Sequence, residues 1–296
     1  MTEEAGGDLP PTIAGLRLVA PRFDGYILDV WGVLHDGFKP YPGVVECLER
    51  LREAGKRVVV LSNAPRRAIG VVERLTELGI PESLYDGALS SGEEVWQHLA
   101  TRPDAFYAGL GHRCLFVGPP RDESMLEALG LHRVEAVAEA DFILSTGPWG
   151  WEANAARYEV LLQEGAQRRL PMICANPDLV VRLGDRLAIC AGTLAQRYEA
   201  LGGPVRWHGK PYRSVYETCF AMLGVADKSR ILAVGDSLRT DIAGAAGAGI
   251  ASLFITGGIH AEDFAGAEGG LDPVRLAGAF RDHRCRPDFV MPQLAW

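Results

Sequence analysis

Two apolar runs that each stop at an acid constrain this chain more than any other feature. They are Tyr26-Ile27-Leu28-Asp29 and Ile231-Leu232-Ala233-Val234-Gly235-Asp236. A short unbroken apolar run reads as a parallel strand buried on both faces. In open α/β sheets the carboxyl ends of such strands are where ligands bind. Two such ends can bring two carboxylates into one crevice, where they repel unless a cation or proton lies between them. The pair therefore predicts a Mg²⁺ site and phosphate chemistry.

The remaining elements follow the same alternation. Residues 1–22 read as an irregular arm leading to a short helix. The spacing of Val44, Val45, Leu48 and Leu51 predicts a helix over 43–54, closed by Gly55. A strand follows over 57–61, stopping at Ser62-Asn63, and then a helix over 66–79. This β-loop-α-β-α opening predicts a parallel sheet with right-handed crossovers. In the middle, helices are expected at 91–100 and 151–165, with strands at 114–118, 142–146 and 171–175. From Lys210 the first sheet resumes, with a helix over 212–224, a strand over 231–235, a Gly/Ala-rich helix over 238–248 and a strand over 251–255. Asp288 to Met291 is the expected last strand. Gly244, Gly247 and Gly249 are expected to let that helix approach the sheet closely. The fold class expected is α/β: a Rossmann-like parallel-sheet core over 1–90 and 205–296, with an inserted α/β domain over 91–204.

Composition narrows the function classes. The net charge of −8 argues against a broad nucleic-acid surface. Six cysteines occur singly, without a C-x-x-C pair, so neither a zinc knuckle nor a redox motif is indicated. They read as reduced, mostly buried thiols. No uncharged apolar run is long enough to span a membrane, and the N-terminus lacks a signal-peptide pattern. The expected location is the cytoplasm.

Several side chains could carry chemistry. Asp29, at a strand end before a glycine-containing loop, can attack phosphorus, or it can be a turn-forming residue. Ser62, with Asn63 beside it, can donate to a phosphate oxygen or simply form a turn. Lys210, in His208-Gly209-Lys210-Pro211, can neutralise a phosphoryl group or lie solvated at the surface. Asp236 can ligate Mg²⁺ and Asp241, one helical turn on, can join it; alternatively Asp236 caps a helix. Trp149, Trp151 and Trp207 could line a pocket or pack. Arg66 and Arg67 could meet an anion or begin a helix.

Taken in order, Asp29, Ser62, Lys210 and Asp236/Asp241 resemble the four-motif signature of the haloacid dehalogenase-like (HAD) hydrolase superfamily. The segments Leu61-Ser62-Asn63, Gly209-Lys210-Pro211 and Gly235-Asp236-Ser237-x-x-Thr240-Asp241 carry that resemblance. The long insert, with Ala175-Asn176-Pro177-Asp178 and Ala191-Gly192-Thr193-Leu194, resembles the α/β cap of the NagD-like class IIA subfamily. The resemblance implies Asp29 as nucleophile and Mg²⁺ held by Asp29, the Trp31 backbone carbonyl and Asp236, with Asp241 supporting the metal shell. It implies that Ser62 and Lys210 bind the phosphoryl group, and that Asn63, Asn176 and Asp178 approach the substrate. A small phosphorylated metabolite is the implied substrate (a sugar, nucleotide or cofactor phosphate), and a cap-mediated homodimer is an analogy with relatives.

One position departs from the pattern. Most phosphatases of that superfamily carry a general acid/base Asp two residues after the nucleophile, and here that residue is Trp31. Losing a general acid/base costs about 10²–10⁴ in rate. The alternatives are a phosphatase using another group, with His35 and Asp36 as substitutes, a catalytically impaired protein that binds a phosphorylated ligand, or chemistry without an alkoxide leaving group.

Overall fold

The computed structural model describes residues 9–183, 186–258, 261–266 and 270–296; the first eight residues of the expected N-terminal arm lie outside that set. In chain order the strands are β1 Gly25–Asp29, β2 Arg57–Ser62, β3 Gly87–Ser90, β4 Arg113–Val117, β5 His132–Val134, β6 Phe142–Ser145, β7 Met172–Cys174, β8 Val180–Leu183, β9 Arg186–Ile189, β10 Val205–Trp207, β11 Ile231–Gly235, β12 Ala251–Ile255 and β13 Phe289–Met291. The chain divides into two compact units. The first comprises residues up to Leu61, Arg74–Ala88 and Tyr216–Trp296; the second comprises Ser62–Glu73 and Leu89–Val215.

The first sheet has the order β13-β12-β11-β1-β2-β3. β1 pairs in parallel with both β2 and β11, and β12 pairs in parallel with β11 and β13. The chain runs outward from β1 to β3, returns to β11 beside β1, and runs outward again to β13. Strand order therefore reverses between β1 and β11, which makes their carboxyl ends the topological switch point. Both strands are buried along their whole length, as the unbroken apolar runs require. The helix Val44–Glu53 turns Val44, Cys47, Leu48 and Leu51 inward at helical spacing. A further layer packs Leu238, Ile242, Phe254, Phe264, Leu276, Phe280 and Val290 together. Each fully buried side chain of this size contributes about 1.5–3 kcal/mol.

The second unit has its own parallel sheet, in the order β10-β7-β6-β4-β5. Alternate residues of β4 and β6 serve opposite faces, as the pleat demands. Leu115, Val117 and Ile143 pack with Tyr158, Leu162, Leu194 and Tyr198. Cys114, Phe116, Phe142 and Leu144 pack with Val95, Leu99 and Tyr107. Both faces are covered, so this is a three-layer α/β unit, with β8 and β9 forming a separate antiparallel hairpin.

Local departures from expectation have identifiable causes. The helix expected over 151–165 begins only at Glu159, after a short turn at Ala156–Tyr158. Asn154 Oδ1 accepts the Ala156 N–H at 3.0 Å, and the Tyr158 hydroxyl donates to Glu152 Oε2 at 2.9 Å. Those bonds hold the segment as a loop. The helix expected over 238–248 opens with a π-helical turn, Leu238–Ile242, before its α-helical part, Ala243–Ala248. Gly244 makes room for the Tyr216 ring rather than for the sheet. All six cysteines are free thiols, five of them buried, and burial pushes the Cys47, Cys114 and Cys174 thiols up to about 12. Among the described residues no helix is long and apolar enough to cross a membrane.

Candidate active site

In the first unit the strand register brings the acids together. Leu28 pairs with Val234, so Asp29 ends β1 level with the end of β11, and Asp236 follows one residue later. The third acid arrives through the π-turn. The Ser237 carbonyl accepts from both Asp241 N–H at 3.0 Å and Ile242 N–H at 3.2 Å. The second of these spans five residues, which widens the turn; such π-bulges recur at functional sites. Asp241 Oδ2 then accepts the Ser237 N–H at 3.1 Å, which turns the carboxylate back toward the strand end. Asp29, Asp236 and Asp241 are all buried, and each offers an oxygen within 4.8 Å of the others.

Glycines clear the space around this cluster. A Cβ on Gly32 or Gly258 would overlap the Asp236 carboxylate, and one on Gly235 would overlap Asp241. Gly32 also has φ +90°, a conformation that favours glycine. Three buried carboxylates this close carry like charge in a poorly screened setting, which a cation relieves. An all-oxygen donor set fits a hard divalent cation.

The loop after β1 folds tightly. Gly32 N–H donates to the His35 carbonyl and Leu34 N–H to the Val30 carbonyl, each at 2.9 Å. Trp31 remains 37% exposed, with its ring edge-on to His35 and lying over Gly37. His35 is buried, and its Nδ1 accepts the Gly37 N–H at 2.9 Å. Burial, reinforced by the Arg74 charge, pulls the His35 pKa down to about 4. The imidazole is therefore neutral at pH 7, with its proton on Nε2. Asp36 Oδ1 accepts the Phe38 and Lys39 N–H groups at 2.8 and 2.9 Å, the bonding of a turn-forming Asp. Those bonds also lower its pKa.

The second unit gathers other predicted residues. Ser62 ends β2; its Oγ accepts the Ala64 N–H at 3.1 Å, which leaves the hydroxyl its own proton to donate. Asn63 is buried and donates from Nδ2 to Asp178 Oδ1 at 2.9 Å. The same side chain accepts the Lys210 N–H at 2.8 Å and donates to the Lys210 carbonyl at 3.2 Å. Asn176 Oδ1 accepts the Asp178 N–H at 2.9 Å, shaping the turn that carries Asp178. Asn63, Asp178 and Lys210 thus form one hydrogen-bonded group, with Asn176 setting its edge. Lys210 is buried despite its charge.

Other predicted residues have structural partners. Arg67 makes a two-pronged bond to Glu93 at 2.7 and 3.2 Å, with its guanidinium 3.6 Å from the Trp96 ring centre. Trp149 packs on Tyr158 and Trp151 meets Arg121, while Trp207 donates to Glu199 at 3.0 Å and stacks on Tyr212.

Two residues escaped the sequence reading. Glu94 Oε2 accepts the Gly209 N–H at 3.1 Å and lies 3.0 Å from His208 Nδ1, anchoring the loop that leads into Lys210. The sequence signals were an acid placed beside Val95 on an otherwise inward-facing helix segment and its four-residue spacing from His98. Gly258 gave no signal, because its role is to leave room for a side chain distant in sequence.

Comparison with known proteins agrees with this architecture. The family described as haloacid dehalogenase-like hydrolase matches residues 26–132, and a HAD-hydrolase-like family matches residues 207–296. The chain is 30% identical to chronophin from Bos taurus over 77% of this chain and 79% of that protein. A haloacid dehalogenase-like hydrolase from Brucella suis 1330 superposes with TM-score 0.80 at 35% identity, covering 96% of this chain and 100% of the other. Glycerol phosphate phosphatase from Mycobacterium tuberculosis, solved in complex with magnesium, superposes with TM-score 0.64 at 26% identity, covering 92% of this chain and 76% of the other. With its acids at the ends of β1 and β11 and a second α/β unit in the chain, this protein belongs to the haloacid dehalogenase-like hydrolases, in their NagD-like class IIA branch.

Proposed function

We propose that this HAD-type phosphoric monoester hydrolase releases phosphate from a small phosphorylated metabolite in a Mg²⁺-dependent reaction. The observation that supports this most strongly is the meeting of three buried carboxylates, Asp29, Asp236 and Asp241, at the switch point of the sheet. Small phosphate esters as substrates are supported by relatives such as the glycerol phosphate phosphatase. A bound Mg²⁺ supplies positive charge that offsets the phosphate and the carboxylates; Asp29, the Trp31 carbonyl and Asp236 are the proposed ligands, with Asp241 in support.

In the proposed first step an Asp29 carboxylate oxygen attacks phosphorus, the bond from phosphorus to the leaving oxygen breaks, and the leaving oxygen takes a proton. In the second step water attacks the same phosphorus, loses a proton, and the bond from phosphorus to Asp29 breaks. Ser62 and Lys210 are assigned to the phosphoryl oxygens by the family's motif pattern, and Asn63, Asn176 and Asp178 to the substrate side. Trp31 supplies no side-chain proton to either step.

The test is phosphate release with Mg²⁺ from an aryl phosphate and from sugar, nucleotide and cofactor phosphates, alongside Asp29→Asn. Turnover that chelation and Asp29→Asn both abolish supports the proposal. No release from any ester, with Mg²⁺ still bound, would leave a protein that binds phosphorylated ligands without hydrolysing them.

A further inference from the structure

The second unit holds another group of ligating side chains. Glu94 and His98 lie four residues apart on the helix Ser91–Thr101 and so share one face; His208 follows β10. The three offer ligand atoms within 4.8 Å of one another. Glu94 is 1% exposed and His208 2%.

The hydrogen bonds around them orient lone pairs inward. His98 Nδ1 lies 2.7 Å from the Glu94 backbone carbonyl. A carbonyl only accepts, so Nδ1 carries the proton and Nε2 presents its lone pair. His208 Nε2 is engaged by the Tyr107 hydroxyl; in the tautomer whose Nε2–H donates to that oxygen, Nδ1 keeps its lone pair. That Nδ1 lies 3.0 Å from Glu94 Oε2, which also accepts the Gly209 N–H, while Glu94 Oε1 is buried without a hydrogen-bond partner. The two imidazole rings stand 5.0 Å apart, centre to centre. A buried carboxylate oxygen left unpaired is unfavourable, and a cation among these three side chains would satisfy it.

We propose that Glu94, His98 and His208 bind a divalent first-row transition-metal ion, most readily Zn²⁺, as a second metal site with its own ligands. Two imidazoles and a carboxylate are a zinc donor set that leaves one coordination position open. In such sites the far nitrogen of each ligating histidine is held by a hydrogen bond, as Glu94 O and Tyr107 hold His98 and His208 here. His208 and Gly209 directly precede Lys210, so the ion would brace the loop that carries that lysine.

The test uses full-length, metal-stripped Asp236→Asn protein, in which the carboxylate cluster no longer competes. It is titrated with Co²⁺, followed by Zn²⁺ competition and thermal unfolding. The proposal expects one equivalent of Co²⁺ with the intense visible absorption of a four-coordinate ion, displacement by Zn²⁺ but not by Mg²⁺, and a higher unfolding midpoint with Zn²⁺. Adding His98→Ala should weaken Zn²⁺ binding by about 10-fold or more. If that variant does not fold, His208→Asn carries the same expectation. Less than one equivalent bound, or Zn²⁺ affinity unchanged in a folded histidine variant, overturns the site.

Discussion

The side-chain amide of Asn63 grips the main chain of Lys210 from both sides, accepting its N–H at 2.8 Å and donating to its carbonyl at 3.2 Å. The remaining amide proton reaches Asp178 at 2.9 Å. One buried amide therefore fixes the backbone of the lysine and the turn that carries Asp178. Asn63→Ala strands the buried Lys210 N–H, so stability should fall by about 1–3 kcal/mol. Urea unfolding would measure the loss. An unchanged midpoint would mean that water or a neighbour replaces the amide without cost.

Gly258 is needed for the space it leaves. A methyl group there would meet the Asp236 carboxylate. Gly258→Ala should push that carboxylate aside and weaken Mg²⁺ binding by about 10–100-fold, the usual effect of disturbing a group that positions a metal ligand. Calorimetric titration with Mg²⁺ reads this directly.

His35 gives a pH signature. Its folded-state pKa is pulled down to about 4, against 6.5 for an unburied imidazole. The native state therefore favours the neutral ring. That contribution is fully present above pH 6.5 and is lost as pH falls toward 4, by about 3 kcal/mol across the window. In metal-free protein His35→Gln, which keeps an acceptor for the Gly37 N–H, should flatten the fall in stability between pH 6.5 and pH 4.

Trp31→Asp tests what the missing acid costs. An introduced carboxyl group should raise turnover of alkyl phosphates by about 10²–10⁴-fold. An aryl phosphate with a good leaving group should gain much less in its first step. Equal gains in that first step for both ester types, or none, would show that protonation of the leaving oxygen does not limit it.

The strands that carry Asp29 and Asp236 were legible because burial on both faces writes itself as an unbroken apolar run. Asp241 was legible by its spacing. The π-turn that aims it was not, since it depends on the Ser237 carbonyl accepting two N–H groups. β5 and β10 have three residues each, too few to show a period. The loop before Glu159 is set by side-chain bonds of Asn154 and Tyr158 that compete with the helix, and propensity does not register such bonds. Glu94 and His98 show the spacing of one helix face, but the meaning of that spacing rests on His208, which the chain delivers much later.

The most direct test is a rapid-quench experiment with a ³²P-labelled aryl phosphate, whose good leaving group departs without protonation, following protein-bound label, leaving group and free phosphate together. With Trp31 unable to activate water, the second step should be the slower one. The expected result is a burst of leaving group with near-stoichiometric, acid-stable label on the peptide containing Asp29, absent from Asp29→Asn. Steady phosphate release with no label at Asp29, or with label on another residue, would contradict it.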